Sequence, residues 1–325
     1  MKIERETGDI LLSLEPSSSP SSTSSKADEE QKQSQRQQHA AESAVTTTQE
    51  TKVDEKIKKA KNEFELTLLD KQEHSGTDIM SFRFSKQDNL DKNTSLDYIP
   101  GQYAFFDIGG VNNDPKGPIR HFSIASSPTE DFIMISTRIR DTPYKKRLSS
   151  LETGDGTTKV KVRGPQGKFV LHQEDYSKPA VLLSGGIGVT PFRSMIKYAT
   201  DKKLPLKIVM FDSNRDVANI LYKEEFDEWL KTNKNLKIVY TITEEEGGGG
   251  EVGQQQEPSQ HESWKGERGR INEIMLRKHL TSDELINSVF YTCGPPGMIK
   301  AMQTLLQENL QIPKEQIKVE EFTGY

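Results

Sequence analysis

Two rhythms of apolar and polar residues run along this chain. From residue 62 to 177 the apolar positions alternate in short runs: "FELTLLDKQEH", "IMSFRF", "YIPGQYAFFDI", "RHFSIASSP", "FIMISTRIR" and "TKVKVRGPQGKFVL". A period of two describes strands with one buried face. Ser75-Gly76 and Pro100-Gly101 punctuate them as turns, and Tyr144 to Leu151 is the one helical candidate. Short strands with such turns predict a small antiparallel β-barrel. From residue 178 to 325 the apolar runs become continuous. "AVLLSGG", "LKIVMFDS", "LKIVYTIT" and "SVFYTCGPPGM" read as buried strands. Between and after them come helical stripes: "YKEEFDEWLKT" with Phe226, Trp229 and Leu230, "RINEIMLRKHL", and a last stretch with Ile299, Met302, Leu305 and Leu306. Strand–helix alternation predicts a doubly wound parallel sheet. The expected fold class is thus β plus α/β, an antiparallel barrel followed by a doubly wound domain.

Two segments follow neither rhythm. Residues 13–52, within a first segment of residues 1–61, are dominated by Ser, Gln, Thr, Glu and Ala. So polar a stretch cannot bury enough surface to offset chain entropy, and a disordered low-complexity tail is expected. Residues 244–263, "EEEGGGGEVGQQQEPSQHES", read as a flexible surface insertion.

Composition narrows the chemistry. A net charge of −5 with both signs interspersed calls for neither nucleic acid nor an acidic membrane as partner. No apolar run reaches the length of a membrane span, and Ile10-Leu11-Leu12 is no signal-peptide core, so a cytoplasmic protein is expected. The single cysteine, Cys293, excludes an internal disulfide and any cysteine-built zinc or iron–sulfur site within the chain. The six histidines have no metal-ligand spacing, so no metal is expected.

One junction stands out. In "LLSGGIGVTPF", Leu182 to Phe192, a buried strand runs into Gly185, Gly186 and Gly188, then Thr190 and Pro191. Glycine permits a tight turn and close approach. Thr190 can cap the helix that follows, with Pro191 at its first position. A strand, a glycine turn and a helix N-terminus suit either a plain βα connection or an anionic group, most often a phosphate. The spacing is neither G-x-G-x-x-G nor a P-loop.

Three motifs in order carry more information: Arg120-His121-Phe122-Ser123 entering a barrel strand, the glycine turn with Thr190-Pro191, and Cys293-Gly294-Pro295-Pro296-Gly297-Met298 at the end of the last sheet strand. With "GPQGKF" between the first two, the set resembles the ferredoxin–NADP reductase superfamily of flavoenzymes over about Asn62 to Tyr325. That resemblance implies FAD as cofactor, NADP or NAD as nucleotide, and hydride transfer between them. It implies that Arg120 pairs with the flavin pyrophosphate and that the Ser123 hydroxyl reaches flavin N5. His121 falls within the same motif. Phe122 stands where the family usually has Tyr, so it can pack beside the flavin ring without the phenolic hydrogen bond. Ile124, Ala125 and Ser126 are expected beside the ribityl chain and phosphates. Arg138 and Thr142, in "TRIRDTPYKKRL", resemble the segment holding the second phosphate and adenine, which favours FAD over FMN. The turn Gly185, Gly186, Gly188, Thr190 and Pro191 takes the role of the nicotinamide-dinucleotide pyrophosphate site. Ser213 and Arg215 lean toward the 2′-phosphate of NADP, whereas Asp212 leans toward NAD. Cys293, Gly294, Pro295 and Met298 fall near the nicotinamide, and Phe322 or Tyr325 is expected against the flavin face. Ser123 and Cys293 are the candidate catalytic pair.

The resemblance also implies a separate electron acceptor, a ferredoxin, a flavodoxin, another protein or a small oxidant, because neither a globin nor a cluster domain is legible here. Two further readings stay open: an electron-transfer subunit of a larger complex, and a non-catalytic nucleotide-binding regulator.

Overall fold

The structure is a computed structural model that describes residues 62–154, 156–172, 175–243 and 264–322, all within one compact unit, Ala60–Tyr325. The expected tail, the insertion at 244–263 and Tyr325 lie outside the described residues.

The first half is a six-stranded antiparallel sheet built from β1 (Glu63–Glu73), β2 (Ile79–Ser85), β3 (Tyr103–Asp107), β4 (Ile119–Ser123), β5 (Phe132–Arg138) and β6 (Lys159–Gln166), in the order β4-β3-β6-β1-β2-β5. Alternation does what it predicts. Phe64, Leu66 and Leu68 of β1, Ala104 and Phe106 of β3, and Val160 and Val162 of β6 all turn inward to one core. The sheet curls until its edges meet: just past β4 the Ala125 amide donates to the Met134 carbonyl of β5 at 2.7 Å. Helix α1 (Pro143–Ser149) follows β5, starting after Thr142, whose hydroxyl accepts from the Lys145 amide.

The second half is a six-stranded parallel sheet. Its strands are β7 (Ala180–Gly185), β8 (Ile208–Asn214), β9 (Leu236–Ile242), β10 (Glu267–Arg268), β11 (Val289–Gly294) and β12 (Ile317–Glu321), in the order β10-β9-β8-β7-β11-β12. Ala180 and Leu182 of β7 enter one core and Val181 and Leu183 another, so the strand is buried on both faces. The helices are α2 (Thr190–Asp201), α3 (Lys223–Thr232), α4 (Glu273–His279), α5 (Ser282–Asn287) and α6 (Pro296–Thr304), the last running into a π-helical turn, Leu305–Asn309. None is long and apolar enough to cross a membrane. The strand order reverses between β7 and β11, so a crevice opens outside the carboxyl ends of these two strands.

Several local readings change. Thr190 is not the cap of α2. Gly186–Val189 forms a 3-10 turn, and the helix begins at Thr190, whose hydroxyl donates back to the Ile187 carbonyl at 3.0 Å. Strands β10 and β12 extend the sheet beyond the four legible runs. Helix α5 is announced by a capping box, Thr281 with Glu284, that the apolar pattern does not reveal. The two halves share one apolar cluster: Ala125, Met134 and Phe169 pack with Leu182, Phe192 and Tyr291.

Candidate active site

A cavity of about 730 Å³ lies between the barrel and the carboxyl edge of the parallel sheet. Phe122 and Ser123 of β4 face it from one side with Ser136, Thr137 and Arg138 of β5 and Lys145 of α1. Gly185 and Gly186 face it from the other side with Thr190, Ser213, Arg215, Pro295 and Met298. At the end of β4 the consecutive residues His121, Phe122 and Ser123 all line the cavity, while Arg120 is buried away from it.

The glycine turn is held by backbone proximity. A Cβ on Gly188 would lie 2.2 Å from the Cys293 carbonyl oxygen, and one on Gly185 would lie 2.2 Å from Met298 Sδ. Gly186 adopts φ +54°, a conformation that favours glycine, and its outer face is open to the cavity.

Other predicted residues sit elsewhere. Ile124 and Ala125 are fully buried in apolar clusters. Ser126 is also fully buried, its hydroxyl bonded to the Tyr98 hydroxyl and the Met134 amide, both at 2.9 Å. The chain after Ser123 therefore dives under the cavity floor, because barrel closure needs its polar groups. Pro191, Gly188, Gly294 and Thr142 do not reach the cavity wall. Cys293 is fully buried behind the turn; burial, and then the charge of Glu320, push its thiol well above the usual range. Asp212 is likewise buried, with Asn214 Nδ2 donating to it at 2.9 Å, and burial pushes its carboxyl up to about 7. It faces the interior rather than the cavity, so it offers no carboxylate to a ribose there.

Arg120 is engaged within the protein. Its guanidinium is paired with Asp114, donates to the carbonyls of Lys116 at 2.8 Å, Gly117 at 2.7 Å and Ile119 at 2.9 Å, and lies over the Tyr144 ring. The other carboxylate oxygen of Asp114 accepts from the Tyr144 amide, in the first turn of α1, at 2.9 Å. A protein carboxylate thus engages the two groups that the motif suggests for phosphate.

Three features escaped the sequence reading. Lys145, third in α1, is 1% exposed, bonds to the Thr137 hydroxyl and lies over the Phe122 ring. Glu320 of β12 accepts a hydrogen bond from Ser123 Oγ at 3.0 Å, and burial pushes its carboxyl up to about 7. Arg270, after β10, lines the cavity with Arg215 and Thr243. One lysine among the several cations of α1 and an acid in an edge strand carry no local signal; only the closed fold brings Lys145 to the cavity wall and Glu320 to Ser123. Phe322, just past β12, also lines the cavity, its amide donating to the Gly294 carbonyl at 3.0 Å.

The wall suits a phosphorylated cofactor with an aromatic ring: a buried ammonium without a carboxylate, an open glycine turn, and the rings of Phe122 and Phe322 all converge on it. Among the described residues no cluster of His, Cys, Asp and Glu could hold a metal ion.

Solved structures share this fold. Residues 182–304 match the Oxidoreductase NAD-binding domain family. The chain is 26% identical over 264 residues to Flavohemoprotein A of Dictyostelium discoideum, covering 78% of this chain and 59% of that protein. It is 28% identical over 240 residues to a component of the Na(+)-translocating NADH-quinone reductase of Pseudoalteromonas atlantica, its F subunit, covering 69% and 53%. The chain thus spans little more than half the length of these curated relatives. A ferredoxin NADP+ reductase from Neisseria gonorrhoeae, solved with bound FAD and NADP, superposes with a TM-score of 0.58 at 18% identity, over 80% of this chain and 98% of that one. With its barrel, its switch-point crevice and the matched nucleotide domain, this chain has the two-part fold of the solved ferredoxin NADP+ reductase, and its second half matches an oxidoreductase NAD-binding domain.

Proposed function

We propose that the chain takes hydride from NAD(P)H onto a bound FAD and passes the electrons to a separate acceptor, a ferredoxin-like protein or a small oxidant. The observation that carries this reading is the 3.0 Å hydrogen bond from Ser123 Oγ to Glu320 Oε1. It joins a barrel hydroxyl to a carboxyl of the parallel sheet, at a cavity that also contains the glycine turn. A flavin bound there supplies hydride acceptance and one- or two-electron release. The protein's own groups do the positioning. Phe122 and Phe322 offer ring faces. Ser123 holds the hydroxyl at the reacting end. Glu320, titrating near neutrality, can hold or release a proton beside that hydroxyl. Cys293 acts from behind the turn as a positioning residue, since its backbone sets how closely Gly188 packs.

Arg215 and Arg270 near Ser213 support NADP, because a 2′-phosphate is bound chiefly by charge. Asp212, the residue that would favour NAD, is buried away from the cavity. The likeness to one component of a multi-subunit NADH-quinone reductase favours one second reading, an electron-transfer subunit that turns over only with its complex.

The test is purification of the full chain, its visible spectrum with added FAD, and turnover of NADPH and NADH with ferricyanide. A yellow protein that prefers NADPH is expected, with Arg215→Ala raising the KM for NADPH more than that for NADH. Failure to take up FAD would sink the reading. Equal loss for both nucleotides would remove Arg215 from recognition of the 2′-phosphate. Flavin reduction by NADPH without ferricyanide turnover would favour the second reading.

A further inference from the structure

Two serines face each other where the barrel meets the parallel sheet. Ser81 of β2 and Ser136 of β5 are registered partners, each 5% exposed, and their hydroxyl oxygens lie 2.5 Å apart. Ile79 and Met134, on the same strand faces, belong to the apolar cluster shared by the two halves. Hydroxyls in such a place cost free energy unless they are hydrogen-bonded. These two are bonded into a chain. Ser81 Oγ lies 2.8 Å from His74 Nε2, and the Tyr222 hydroxyl donates to Ser136 Oγ at 2.5 Å. Ser136 lines the cavity. His74, just past β1, is half-buried, and its Nδ1 has no hydrogen-bond partner among the described residues.

The chain has a direction. Tyr222 donates to Ser136, which leaves the Ser136 hydrogen for Ser81 and the Ser81 hydrogen for Nε2 of a neutral His74. The same assignment puts the imidazole hydrogen on Nδ1. Burial pulls the imidazole below its ordinary range, against the charge of Glu225 on α3, so the neutral form that accepts at Nε2 is favoured. The Tyr222 ring faces His74 edge-on at 6.4 Å, and beyond it stands Arg193, paired with Glu130 and Glu225. Asp78, on the same hairpin as His74, is paired with Arg138. Every hydroxyl hydrogen thus points from the cavity toward His74. The carboxyl of Glu320 is bonded to Ser123 alone among the described residues, so no such chain continues from it.

We propose that Ser136, Ser81 and His74 form a proton exit path from the cavity to solvent. The inference rests on the flavin reading above. A hydride brings one hydrogen together with two electrons. When both electrons leave to an acceptor that takes only electrons, the hydrogen remains as a proton and has to leave the site. Along the chain, a proton arriving at Ser136 Oγ sends that hydroxyl's own hydrogen to Ser81. Ser81 passes its own to His74 Nε2, and Nδ1 releases one to solvent. One proton enters, one leaves, and no bond between heavy atoms changes. The hydroxyls then turn back, and exchange of the imidazole hydrogens with solvent restores the resting chain.

Full-length protein loaded with FAD and reduced by stoichiometric NAD(P)H is mixed with ferricyanide in weak buffer containing a pH-indicator dye. The dye reads proton release, and the flavin absorbance reads reoxidation. Ser81 does not line the cavity. Ser81→Ala should nevertheless slow proton release by about 10-fold or more, with FAD affinity and reduction by NAD(P)H unchanged. His74→Gln should do the same, and free imidazole should restore release in His74→Gln but not in Ser81→Ala. A second reading needs no flavin: nitrogen NMR of the flavin-free protein should find neutral His74 protonated on Nδ1. Protonation on Nε2 there would reverse the chain and overturn the proposal. Proton release as fast in Ser81→Ala as in wild type would overturn it too, as would release slowed only by Glu320→Gln. Weaker FAD binding, slower reduction and a lower melt in Ser81→Ala, without rescue of His74→Gln by imidazole, would make the chain a latch between the two halves instead. Should Ser81→Ala fail to fold, His74→Gln and its rescue carry the test; if neither variant folds, the chain is structural and the proposal falls. A wild type that takes up no FAD would reject the flavin reading, and this inference with it, whereas FAD uptake with proton release unchanged in the variants rejects this inference alone.

Discussion

Asp212 and Glu320 show how burial converts an ordinary residue into a pH-sensitive one. Both carboxyls are pushed up to about 7 in the folded protein, mainly by burial, from 3.8 and 4.5. The folded state therefore binds more protons than the unfolded state between those values. Their contribution to stability is complete below about pH 4 and is lost as pH rises through 7. Asp212→Asn should raise the melting temperature by several degrees at about pH 8.5 and change it little at about pH 4, because only the charged form is penalised. A gain of equal size at both pH values would mean that amide packing, not charge, is responsible. Ser123, marked by its motif, and Glu320, invisible in sequence, meet at one hydrogen bond.

At the scale of elements, the turn between β7 and α2 separates two uses of glycine. Gly186 is needed for its backbone angle, φ +54°, while a Cβ there would meet only the tip of Arg138 at 3.8 Å. Gly188 is needed for space, because a Cβ would fall 2.2 Å from the Cys293 carbonyl oxygen and 2.8 Å from Gly294 Cα. The backbone of Cys293 and Gly294 cannot yield as a flexible side chain can. Gly186→Ala should therefore cost about 1 kcal/mol. Gly188→Ala should cost about 3 kcal/mol or more, and should weaken NAD(P)H binding as the turn is pushed into the cavity. Denaturant melts and nucleotide titrations on the two variants check the ranking, and equal costs would contradict it. The glycines were legible as a turn. Their different reasons were not, because the strand that crowds Gly188 lies more than a hundred residues away in the chain.

Over the whole molecule, the cavity exists because two sheets are held at a fixed separation. Arg193 of α2, 2% exposed, joins them. It donates to the Ala125 carbonyl at 3.0 Å, pairs with Glu130 from the barrel side at 2.9 Å and with Glu225 from α3, and stacks over Tyr222 and Trp229. Tyr222 in turn donates to Ser136 of β5. Arg193→Met would leave Glu130, 11% exposed, with only the Ser127 amide as partner, and breaking a largely buried pair costs up to about 3–5 kcal/mol. A melting temperature lowered by roughly 6–15 °C is expected, together with a raised KM for NAD(P)H as the crevice loosens. A melt unchanged from wild type would show that apolar packing alone fixes the two halves.

The sequence by itself determined the two-part architecture, since strand alternation and buried runs are local consequences of which face meets solvent. It also marked Ser123, the glycine turn and Phe322, because each stands in or beside a motif whose spacing is carried along the chain. The tertiary structure alone decided the rest. Burial and charge pairing depend on residues brought together from distant elements, and no local pattern records them. That is why Arg120 turned to Asp114, why Ser126 and Asp212 went into the interior, why Cys293 fell behind the turn, why Lys145 reached the cavity and why Glu320 met Ser123.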